Sequence, residues 1–124
     1  MFNKQKSHYK KRKKITQANI WDLEFLRFQM QQQREGCRME YDRLKEQLDA
    51  CDQKTIQENL KPEPDKAVID SLAKLKERTQ PDVDQLLEQM KAIDSQIEGE
   101  QGINSKIDGA HSLMTMLKEY RENI

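Results

Sequence analysis

The chain has 124 residues, 35% hydrophobic, 35% charged and 6% aromatic, where globular domains typically use roughly 45–50% apolar residues. That excludes a layered α/β or all-β domain with a large core and favours long solvated helices that each bury one stripe. The formal net charge of zero hides a division: residues 1–14 hold seven Lys or Arg and no acid, which leaves 15 basic and 22 acidic residues for the rest. A basic segment is thus joined to an acidic body.

Residues 1–15, "MFNKQKSHYKKRKKI", read as a disordered or extended basic arm. Lys4, Lys6, Lys10, Lys11, Arg12, Lys13 and Lys14 are its candidate contacts to nucleic-acid phosphates, which release counterions when they are neutralised. Phe2, His8 and Tyr9, interleaved among them, are candidates for stacking on unpaired bases. "KKRKK" also has the composition of a nuclear localisation signal.

Residues 16–60 read as one long amphipathic helix, with Thr16 placed to cap its start. At about 100° per residue, Leu23, Leu26, Met30, Cys37, Tyr41, Leu44, Leu48 and Cys51 fall in one narrow stripe, close to the heptad of a coiled-coil seam, with Arg27 and Arg34 as polar interruptions. The segment "NIWDLEFLRFQM" adds a second face: Trp21, Phe25 and Phe28, at i, i+4 and i+7, point away from the seam. A helix end apolar on two sides needs two covers, and large aromatics that fill pockets dominate binding energy. These three are therefore the candidate partner-docking residues.

Residues 61–66, "KPEPDK", end that helix, because each proline lacks a donor and pushes its predecessor out of the α region. Residues 67–124 read as a segmented helical return with breaks near 79–82 and 99–102. At the first, "TQPD" suggests Thr79 capping a new helix with Pro81 in its first turn. The seam then runs through Leu86, Met90, Ile93 and Ile97. It slips by one extra step of three at "GEQG" and resumes at Ile103, Ile107, Ala110, Met114 and Leu117. The expected fold is all-α: an elongated coiled-coil-like helical hairpin with the basic arm outside it. Its arms, near 65 Å and 85 Å at about 1.5 Å per residue, do not match in length. An overhang leaves apolar stripe uncovered, and uncovered stripe points to a partner.

Little in the chain resembles catalytic or metal chemistry. Cys37 and Cys51 sit two heptads apart on the seam, where Cys behaves as a small buried hydrophobe, and His8 and His111 form no cluster with them. The carboxylates lie within three or four residues of Lys or Arg, as in "EYDRLKEQ", which is the pattern of solvated helix faces. No enzyme activity, cofactor or metal is expected, and no run of about 18 apolar residues is present to span a bilayer. The function expected from these features is that of a non-catalytic coiled-coil scaffold subunit. It belongs to a larger nuclear or ribonucleoprotein assembly, with helices packed on one or more proteins and residues 1–14 on RNA or DNA phosphates or serving nuclear import. A homodimer is the less favoured arrangement. The alternative is a cytoplasmic trafficking or cytoskeletal coiled-coil component with the arm at an anionic membrane surface.

Overall fold

The computed structural model describes the backbone from Phe2 to Glu122 and the side chains from His8 to Glu122. It is all-α: α1 (Phe2–Asn59), α2 (Lys66–Glu98) and α3 (Ile103–Glu122), with no strand among the described residues. Its contacts divide it into two units, Gln33–Ala92 and Met1–Gln32 with Ile93–Ile124.

The main departure from expectation is at the start. Residues 2–15 are not a disordered or extended arm but the first turns of α1. On local terms this stretch is a poor helix. No acid occupies the first turn, so its basic residues face the positive end of the helix dipole. Lys10, Lys13 and Lys14, at i, i+3 and i+4, also repel one another. Packing overrides these costs. Tyr9 and Ile20, 7% and 2% exposed, cluster with Met114 and Leu117, and Ala110 packs against them. The Arg121 guanidinium lies over the Tyr9 ring, 6.0 Å from its centroid. The apolar stripe that the unequal arms would leave bare is therefore covered by the basic segment itself.

Along α1 the covered positions step by alternating fours and threes without a slip. Tyr9, Lys13, Thr16 and Ile20 lead to Leu23, Arg27, Met30 and Arg34, then Cys37, Tyr41, Leu44 and Leu48, then Cys51, Thr55 and Glu58, each buried or half-buried. This is a heptad repeat seven heptads long, about fourteen helical turns. Thr16 is thereby a mid-helix seam residue rather than a cap, and Leu26, one step off the register, is 41% exposed.

In the unit Gln33–Ala92 the two helical stretches run antiparallel: Cys37 meets Gln89, Leu44 and Leu48 cluster with Val83, and Lys76 pairs with Asp52 at 2.8 Å. Tyr41 and Leu86 flank the cluster. Both cysteines are free thiols. The connection is organised by Glu58, a buried seam residue. Its carboxylate accepts the Asp65 N–H at 3.0 Å and the Lys61 ammonium at 2.8 Å. Asp65 in turn caps α2, its Oδ1 accepting the Ala67 N–H at 2.9 Å.

The break expected near 79–82 is absent, and α2 runs through Pro81. Thr79 does not cap a new helix; its hydroxyl donates back to the Leu75 carbonyl at 2.8 Å. Pro81 is exposed, so the Glu77 carbonyl that it leaves without a donor faces solvent, while Thr79 and Val83 on either side keep the seam buried. Between α2 and α3 the chain does leave the helix. The Gly99 N–H donates to the Ser95 carbonyl (2.9 Å), the Gly102 N–H to Gly99 (2.8 Å), and the Gly102 carbonyl takes the first bond of α3 from Lys106 (3.2 Å). Gly102 is buried so tightly that a Cβ there would stand 2.7 Å from the Ile97 carbonyl oxygen.

Three substitutions test these local environments. Gly102→Ala should lower stability by about 1–3 kcal/mol, as overpacking against backbone does. Gly36→Ala, mid-helix with nothing within 4 Å of the new methyl, should raise it by about 0.5–1 kcal/mol; urea melts of both variants check the opposite signs. The Lys61 hydrogen bond first, and then the Asp65 N–H, hold the Glu58 carboxyl below its ordinary value. Its contribution is therefore present above the unfolded carboxylate range and disappears as pH falls through the lower folded value. Thermal melts from pH 6 to pH 3 should show a smaller acid loss for Glu58→Gln than for the parent chain, beginning from a lower midpoint at neutral pH.

Candidate functional site

The candidate residues for function converge on the unit formed by Met1–Gln32 and Ile93–Ile124. Winding residues 8–15 into a helix decides what their charges can do. Consecutive residues are about 100° apart, so "KKRKK" encircles α1. Lys10, Lys11, Arg12 and Lys14 are exposed and Lys13 is half-buried on the seam. Lys4 and Lys6 lie outside the residues whose side chains are described.

On the face of α1 away from the seam, the steps 11, 14, 18, 21, 25 and 28 again alternate three and four. That places Lys11, Lys14 and Ala18 in line with Trp21, Phe25 and Phe28. All six are exposed, and the aromatics strongly so: Trp21 64%, Phe25 62% and Phe28 55%. The outer face therefore carries cations at one end and large aromatics at the other. Among the described residues, none in this unit folds back over the aromatics.

The structure removes one of the expected stacking residues. Tyr9 sits on the seam with its hydroxyl buried and without a hydrogen-bond partner, so its ring is core rather than a base platform. The heptad position explains this: Tyr9 lies seven residues before Thr16 and three seam steps before Ile20, and the burial of the seam claims it. His8, one residue earlier, is exposed.

The seam residues divide between the two units. Leu44 and Leu48 are buried with Val83 in one, with Tyr41 and Leu86 half-buried beside them and Met90 buried on α2. In the other, Ile93, Ile97, Ile107 and Leu117 are buried and Leu23 and Met30 half-buried. Two polar seam residues that the apolar pattern passes over do structural work. Arg27 donates to the Asn104 side-chain oxygen across the helix pair at 3.1 Å, and Glu58 holds the connection as described. The signal that finds both is the strict step itself, extended through polar residues instead of stopped at them.

The resolved pKa displacements elsewhere arise from surface ion pairs. Hydrogen bonds from Arg38 and Arg43 lower the Glu35 and Glu40 carboxyls, and Asp52 raises the Lys76 ammonium. Exposed pairs of this kind contribute little to stability. Among the described residues no three His, Cys, Asp or Glu are grouped so as to hold a metal ion, and no helix is long and apolar enough to cross a membrane.

The orphaned hydroxyl gives a direct test. A buried donor without a partner costs about 1–3 kcal/mol, so Tyr9→Phe should stabilise the chain by about 1 kcal/mol, measured by chemical denaturation. Tyr9→Ala should destabilise it and lower helicity in the far ultraviolet, because the basic turns lose their anchor. Comparison of the chain with protein-family models, with curated proteins and with solved structures finds no match to any of them.

Proposed function

We propose that the chain is a non-catalytic helical subunit of a larger nuclear or ribonucleoprotein assembly, an elongated coiled-coil-like hairpin that docks on a protein partner through Trp21, Phe25 and Phe28. The observation that carries this reading is the exposure of those three aromatics on one face of α1, each more than half exposed. Large aromatics left in water without a structural task are the kind of residue that anchors interfaces. Lys10, Lys11 and Lys14, exposed on the adjoining turns, extend the docked face toward anionic groups, and RNA or DNA phosphates are the partner class that suits them. Nuclear import through "KKRKK" belongs to the same reading.

Helical winding sharpens the nucleic-acid part. Seven engaged cations would give a logarithmic salt slope near −6 on duplex DNA, whereas the about three that share one helix face give a slope near −3. Fluorescence anisotropy with a short duplex across a salt series should return the smaller slope, and no salt-sensitive binding at all would remove nucleic acid from the proposal. Replacing Trp21, Phe25 and Phe28 together by Ala should leave circular dichroism almost unchanged, since none of them packs in the core, and should abolish co-purification of the partner from the native source. Undiminished co-purification by that variant would sink the docking role.

A further inference from the structure

A second surface in the same unit is unused by the features above. Between the first turns of α1 and the last turns of α3 lies an open groove of about 420 Å³. Tyr9 and Leu117, both core residues, form its floor. One wall is His8 and Arg12, one turn apart on α1; the other is Leu113, Met116 and Tyr120 on α3. The α3 wall is apolar yet open to solvent, at 42%, 63% and 48% exposure. Its spacing of i, i+3 and i+7 covers about two turns, the repeat with which a helix lying in a groove is read. The next position along the α1 wall, three residues after Arg12, is Ile15, itself 52% exposed.

The charge around the groove selects its occupant. His8 to Ile15 contain five basic residues and no acid, and Arg12, which lines the groove, is a planar donor suited to carboxylate. The opposite wall is lined by hydrocarbon, and the α3 cation beside it, Arg121, is engaged over the Tyr9 ring, so the groove does not fit a phosphate backbone track. We propose that this groove seats an amphipathic helix of a partner protein, its apolar residues on Leu113, Met116 and Tyr120 and its carboxylates toward Arg12. This rests on the reading of the chain as an assembly subunit, but it uses a different face from Trp21, Phe25 and Phe28.

The test uses the full chain and a synthetic helical peptide of about three heptads with Leu at the groove-facing positions and Glu beside them, together with its Lys-for-Glu counterpart. The readout is the methyl resonance of Met116, assigned by its loss in Met116→Leu. The Glu peptide should shift that resonance saturably, and the Lys peptide should not. Arg12→Glu should weaken the Glu peptide by about tenfold and gain affinity for the Lys peptide. Leu113→Glu, a change at an exposed position that keeps the Met116 methyl as reporter, should abolish binding with helicity intact. Combined alanine replacement of Trp21, Phe25 and Phe28 should leave binding unchanged. Equal binding of both peptides, binding of neither, or indifference to Arg12→Glu and Leu113→Glu would each overturn the proposal. So would a Met116 shift produced as strongly by phosphatidylserine vesicles or by an oligonucleotide. If the aromatic variant alone loses the peptide, the groove is not its seat, while docking through the aromatic face stands.

Discussion

The alternation of four and three along α1, unbroken from Tyr9 to Glu58, is the constraint on which the other features depend. A helix that keeps one face buried at that period has no freedom over which residue comes next. Position dictates burial even where the residue is Lys13, Thr16, Arg27 or Glu58. The chain accommodates such residues one at a time. Arg27 finds the Asn104 amide oxygen, and Glu58 is placed at the end of the helix, where the backbone of the connection supplies a donor. Polar groups buried with partners cost little, and those buried without them cost a good deal; among the described residues Tyr9 carries an unmet buried hydroxyl.

The same constraint explains why α2 tolerates Pro81 and why the chain breaks at Gly99 to Gly102 instead. From Ile69 through Leu72, Thr79, Val83, Leu86, Met90 and Ile93 to Ile97 the register of α2 never slips, so a missing N–H on its solvent side is a local loss. Between Ile97 and Ile103 the count is six, two threes in succession, and a continuous helix would rotate its buried face away from its neighbour. Leaving the helix for four residues resets the face. It also brings backbone so close to Gly102 that a side chain has no room.

Much of this was legible in the sequence. The all-α class, the end of the first helix at "KPEPDK", the seam from Leu86 to Ile97 and the two-faced character of the segment around Trp21 can each be read from residue spacing. What could not be read shares one cause: local chemistry argued one way and long-range packing the other. "KKRKK" is a poor start to a helix, and "TQPD" is a good place to begin one. In both cases a partner stretch more than seventy residues away, or a register set many turns away, outweighed the local preference. Leu26 is a smaller case: its hydrophobicity suits the stripe, but the period gives that place to Arg27 and leaves Leu26 41% exposed.

Winding the basic segment into α1 has a consequence for how the chain would meet anything anionic. Its cations form a collar around a rod instead of a rail along one side. A collar attracts from every direction but offers only two or three charges to any one surface, so it draws a partner in without telling it which way to face. Orientation then falls to the features that do have a side: the aromatic face and the groove beside α3. Attraction would thus come from the collar as a whole, and alignment from one aromatic face further along α1 and one groove shared between its opening turns and α3.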